Sequence, residues 1–139
     1  MTIARFICEQ PAALDRCVEA ARAFASAWRP AAFEQIALVG SGSSFNALQV
    51  ARPRFVAARR GPVIVHEPAD FVAESAAFTS KPLVIVLSQS GASATSIAAA
   101  KAAVAAGLPT LAISAMPAAA MINRFMLDSI SVRIFCPHV

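Results

Sequence analysis

Leu83-Val84-Ile85-Val86-Leu87-Ser88-Gln89-Ser90-Gly91-Ala92-Ser93 is the most informative stretch of the chain. A short, unbroken apolar run bounded by turn residues needs cover on both faces, so residues 83–87 are expected to form a fully buried parallel strand. The turn that follows holds three hydroxyls and one amide, and an alanine-rich helical stretch begins just after it. In open α/β sheets ligands settle beyond the carboxyl ends of strands, where the next helix offers unpaired N–H groups and the positive end of its dipole. An anion site is therefore expected at Ser88 to Ser93.

Upstream, Ile36-Ala37-Leu38-Val39 runs into Gly40-Ser41-Gly42-Ser43-Ser44-Phe45-Asn46 ahead of another helical stretch. Glycines permit close backbone approach or positive φ, and Ser43 and Ser44 are placed to cap the helix and donate outward. A helix needs one capping hydroxyl, yet Ser41, Ser43 and Ser44 crowd one turn and Ser88, Ser90 and Ser93 the other. None is charged, which suits a phosphate carried on a neutral metabolite. A dinucleotide site stays open as the lesser alternative. Phe45 fills the slot of the third fingerprint glycine, although Glu67 follows the second strand at residues 63–66 as an acidic ribose partner would. A P-loop is excluded, because the chain has no Gly-Lys-Ser or Gly-Lys-Thr to reach terminal phosphates.

The paired motifs Gly40-Ser41-Gly42-Ser43-Ser44-Phe45-Asn46 and Leu87-Ser88-Gln89-Ser90-Gly91 resemble the sugar isomerase (SIS) domain family. The pattern is most similar to the first SIS domain in the isomerase half of glucosamine-6-phosphate synthase and its phosphosugar isomerase and deaminase relatives. Glu9-Gln10-Pro11-Ala12-Ala13-Leu14 is similar to the helix opening that precedes that domain. The resemblance runs from about Cys8 to about Ser114. It implies that Ser44, Ser88, Ser90 and Ser93 hold a phosphate, with Gly42, Ser43 and Gln89 toward the sugar. Ser93 stands where the family often has Thr, which keeps the hydroxyl. The implied function is phosphosugar binding within an aldose–ketose isomerase or amino-sugar phosphate isomerase or deaminase acting on a hexose 6-phosphate. The alternative is a non-catalytic sugar-phosphate sensor. No cofactor is called for.

Composition fits one small domain of 139 residues, but at 58% hydrophobic and only 14% charged it is unusually apolar. Some of that surface is expected to be covered, and SIS domains are habitually dimeric, so a homodimer is expected. The net charge of +4 comes from dispersed basic residues, densest at Arg52, Arg54, Arg59 and Arg60, and no recognition motif accompanies them. Nucleic acid is not an expected partner. Nor is a membrane, since the most apolar stretch, residues 97–116, is interrupted by Lys101, Gly107 and Pro109. The N-terminal region carries Glu9, Gln10 and Asp15 instead of an apolar signal core, and a cytoplasmic location is expected. Cys8, Cys17 and Cys136 form no zinc pattern with the two histidines and are expected to be buried or incidental thiols.

Along the chain, residues 1–34 are expected to form a helical segment and residues 35–139 a single SIS domain. The first helix, over residues 12–28, should pack Leu14, Cys17, Val18, Ala21, Phe24 and Trp28 on the core. The second, over residues 44–60, contains Pro53 and should bend or split there. A short helix after Glu67-Pro68, a helix from Ser93 to Ala106 closed by Gly107, a fourth strand at 110–114, a short helix after Pro117 and a fifth strand near 129–135 complete the pattern. Strands and helices alternating at this spacing define an α/β fold, a three-layer αβα sandwich on a five-stranded parallel sheet of flavodoxin-like SIS type. In the enzymes resembled, a helix bearing a catalytic Glu and Lys and then a second SIS domain follow. This sequence ends at Val139, so it looks truncated and its catalytic residues stay unassigned. His66 and Glu67, at the end of the second strand, are the nearest acid–base candidates, with Asp70 and Glu74 after them.

Overall fold

The computed structural model describes residues 3–27, 33–58, 61–114 and 133–135. The expected short helix after Pro117 lies outside them. In chain order the elements are α1 (Ile3–Ala27), β1 (Ile36–Val39), α2 (Ser43–Ala58), β2 (Val63–His66), α3 (Pro68–Glu74), β3 (Leu83–Ser88), α4 (Ala94–Ala105), β4 (Thr110–Ser114) and β5 (Arg133–Phe135). A 3-10 turn at Ser75–Ala77 extends α3. All strand pairs are parallel, in the order β2-β1-β3-β4-β5.

That order explains the layering. The chain steps from β1 outward to β2, then crosses back over β1 to β3 and continues the other way. Right-handed crossovers place helices on opposite faces when the direction reverses. Accordingly Ile36, Leu38, Val63, Leu83 and Ile85 meet Leu48 and Phe55 of α2 and Phe24 of α1 on one face. Ala37, Val39, Val84 and Val86 meet Phe71 of α3 and Ala99, Ala100 and Ala103 of α4 on the other. Adjacent residues of one strand serve opposite layers, which is why β1 and β3 had to be apolar throughout. Alanines let α4 lie close to the sheet, and Ala99 and Ala103 are fully buried.

Two expectations about the first helix are corrected. The first helix starts earlier, at Ile3, and includes Pro11. Its predicted apolar stripe also divides. Cys17, Ala21 and Phe24 are half-buried, whereas Leu14 and Val18 are 65% and 48% exposed. At 100° per residue the Leu14–Val18 line lies about 60° around the helix from the Cys17–Ala21–Phe24 line, enough to turn it to solvent. α2 is a single helix that contains Pro53, not two pieces. Pro53 is exposed, so its ring points away from the sheet and the lost hydrogen bond falls on the wet side of the helix.

One cysteine, Cys17, differs from expectation as well. Cys8 is a free, exposed thiol, but Cys17 is disulfide-bonded and is not an incidental thiol. Cys17 lies on the half-buried side of α1, and α1 packs against β5.

Candidate functional site

The sheet reverses between β1 and β3. In register, Val39 is opposite Val86, so the loops after these two strands leave the same edge from neighbouring positions. This is a topological switch point, where the divergence of two loops opens a crevice at the strand ends.

The β1–α2 loop begins at Gly40, whose N–H donates to the His66 carbonyl at 3.3 Å. A Cβ at Gly40 would meet Leu48 Cδ1 at 3.0 Å and the backbone of Phe45 and Ser44 at 3.2 Å each, so only glycine lets α2 start this close to the strand. The Ser41 carbonyl then accepts from the N–H groups of Ser44 (3.1 Å) and Phe45 (3.4 Å). The helix opens at Ser43, so Ser43 and Ser44 lie within its first turn and are not its caps, as their hydroxyls had led one to expect. Ser43 and Gly42 are exposed, and Ser44 is half-buried.

The β3–α4 loop is organised by its own hydroxyls. Ser88, the last residue of β3 and 4% exposed, accepts the Gly91 N–H on Oγ at 3.2 Å. Gly91 takes φ +64°, which turns the chain into α4. Ser90 Oγ accepts the Ala92 N–H at 3.2 Å. Ser93 is the N-cap of α4, its Oγ accepting from Ser96 N at 3.5 Å and lying 3.1 Å from Thr95 Oγ1. Each of these oxygens serves as an acceptor within the turn, and at exposed Ser90 the hydroxyl proton is the part left to give a ligand. Gln89 and Ser90 are exposed and Ser93 half-buried, while Ser88 is sealed beneath them. Ser88 therefore shapes the turn from below.

Sequence reasoning missed two participants. Thr95 shares its hydroxyl with Ser93, and Ser114 Oγ, at the end of β4, donates to the Gln89 carbonyl at 3.3 Å. Ser114 closes the strand expected at 110–114, but that this end lies beside Ser88 follows from the strand register and not from any local signal.

The acid–base candidates follow β2, whose last residue, His66, is in register with Val39 at the start of the β1–α2 loop. His66 is 7% exposed, its ring edge-on to Phe71 and Phe78 with centroids at 5.8 and 6.2 Å. Its Nδ1 lies 3.4 Å from Glu74 Oε2, and its Nε2 has no hydrogen-bond partner among the described residues. Glu67 is half-buried at the N-cap of α3 and forms no side-chain cap there. Among the described residues no group of His, Cys, Asp and Glu could hold a metal ion. None of their helices is long and apolar enough to cross a membrane. Arg52 is exposed and uses Nε to donate to the Val63 carbonyl of edge strand β2 at 2.8 Å.

The fold and these loops define a doubly wound α/β domain that presents neutral hydrogen-bond donors and two helix N-termini at its switch point. More narrowly, the SIS domain model matches residues 32–135, and the chain belongs to the SIS domain family. Solved structures agree in fold. A Clostridium difficile 630 protein assigned as a phosphosugar isomerase superposes with a TM-score of 0.82 at 20% identity, over 100% of this chain and 39% of its own. The tagatose-6-phosphate ketose/aldose isomerase of Escherichia coli gives 0.75 at 22% identity, over 93% of this chain and 38% of its own. Phosphoheptose isomerase of Neisseria gonorrhoeae gives 0.68 at 15% identity, over 98% of this chain and 86% of its own. The chain thus spans about two fifths of the first two proteins and most of the third. Comparison with curated protein sequences yields no match.

Proposed function

We propose that this chain binds a sugar phosphate, with Ser44, Ser90 and Ser93 around the phosphoryl group, Ser88 supporting their turn from below as part of the same phosphate loop, and Gly42, Ser43 and Gln89 toward the sugar. One observation carries the reading: two hydroxyl-rich loops leave adjacent strands where the sheet reverses, and each opens a helix at the same edge. Neutral donors and helix dipoles favour a dianion without a metal. Residues 35–139 are the ligand-binding unit, preceded by the helical segment 1–34. The reaction class is aldose–ketose isomerisation, or isomerisation or deamination of an amino-sugar phosphate, with a hexose 6-phosphate as substrate. Such chemistry needs a base to move a proton between neighbouring carbons and an acid to open the ring.

A second reading, a non-catalytic sugar-phosphate sensor, is favoured by His66. The one imidazole among the described residues is buried between Phe71 and Phe78. Titration calorimetry with glucosamine 6-phosphate, on the wild type and on Ser90→Ala, tests binding. A turnover assay on the same samples separates enzyme from sensor. Binding that Ser90→Ala leaves unchanged, or no binding at all, would remove the proposed site.

The working form is a cytoplasmic homodimer. Ile7, Leu14 and Val18 line one side of α1 and are 58%, 65% and 48% exposed, an apolar stripe that a second copy would cover. Light scattering behind size exclusion reads the dimer, and cell fractionation reads the location.

A further inference from the structure

β3 and β4 run in register to their last residues, which place Ser88 beside Ser114. Beyond them the sheet ladder ends, and Gln89 turns away toward α4. Two hydroxyls continue what the ladder leaves off. Ser88 Oγ takes the Gly91 N–H, and Ser114 Oγ gives its proton to the Gln89 carbonyl, at 3.2 and 3.3 Å. Both serines are buried, at 4% and 7% exposure, so water competes poorly for either bond.

The Gln89–Ser90 peptide is trans, as are all the described peptides. In a planar trans peptide the N–H points opposite to the C=O. Holding the Gln89 carbonyl toward Ser114 therefore turns the Ser90 N–H away from β4, toward the side on which β1 and its glycine-serine loop stand. From this geometry we propose that Ser114 is a positioning residue: it orients the Gln89–Ser90 peptide so that the Ser90 N–H serves as a phosphoryl donor. The role rests on the sugar-phosphate reading above. Ser114 touches the peptide and not the ligand.

The test compares wild type with Ser114→Ala and with the isosteric pair Ser114→Thr and Ser114→Val, which differ in a hydroxyl against a methyl. Calorimetry reads the affinity for glucosamine 6-phosphate. Amide NMR follows the Ser90 and Ser93 N–H resonances as inorganic phosphate is added, and the melting temperature reports on folding. Ser114→Ala and Ser114→Val should bind about fivefold to tenfold more weakly, the size expected for one buried hydrogen bond. Ser114→Thr should stay near wild type. The phosphate-induced shift of Ser90 should shrink in Ala and Val while that of Ser93 persists. If Ala does not fold, the Thr and Val pair carries the same comparison. Equal binding by Thr and Val with an unchanged Ser90 shift would overturn the role of Ser114 while leaving the site intact. Absence of binding by the wild type would instead overturn the sugar-phosphate reading, and the role of Ser114 with it.

Discussion

At the scale of single residues, the site depends on backbone freedom as much as on hydroxyls. Gly40→Ala would press a methyl against Leu48 and the first turn of α2. Urea unfolding should show a loss of about 1–3 kcal/mol, the usual cost of overpacking. Gly91→Ala places a side chain at φ +64° and should cost about 1–2 kcal/mol while weakening phosphosugar binding, because the turn that presents Ser90 would relax. Ser93→Ala removes an N-cap whose bond to Ser96 is long at 3.5 Å, so its loss should sit near the low end of the capping range, about 0.5–1 kcal/mol. These glycines and serines were legible in the sequence because turn chemistry is local. Ser114 was not, since its hydrogen bond spans a separation of 25 residues.

Elements show where pattern reading succeeds and where it slips. β1 and β3 were readable because a strand covered on both faces is apolar without interruption, and runs this short that end in glycine and serine turns are too brief for a buried helix. α1 misled for the opposite reason. Its apolar residues spread around the cylinder, and which of them face the sheet depends on how the helix docks. α3 offers the sharpest test of packing. Phe71 is fully buried beneath it, in contact with His66 and Phe78, so Phe71→Ala should destabilise the domain by about 3–5 kcal/mol in urea unfolding. Val72, on the exposed side of the same helix, should tolerate alanine within about 0.5 kcal/mol.

Across the whole molecule, ligand and partner should both appear as stability. A phosphosugar at a hundred times its dissociation constant should add about 2.7 kcal/mol to unfolding, provided that it binds only the folded chain. Thermal scans with and without glucosamine 6-phosphate read this directly, and Ser90→Ala should blunt the gain. Leu14→Glu, on the exposed stripe of α1, should shift the scattering mass toward monomer with little change in the fold of the isolated chain. Retention of the full mass in that variant would move the interface elsewhere.

The strand and helix alternation, the two hydroxyl-rich loops and the family can be read from the residues alone, because apolar runs, glycines and clustered serines act within a few residues of one another. The sheet order that sets those loops side by side, the burial of Ser88 beneath the turn, the seat of His66 between two phenylalanines and the reach of Ser114 to Gln89 emerge only from the packed chain. Those depend on how parallel strands pair and helices dock across long separations, and a one-residue change of register or a 60° turn of a helix would alter each of them.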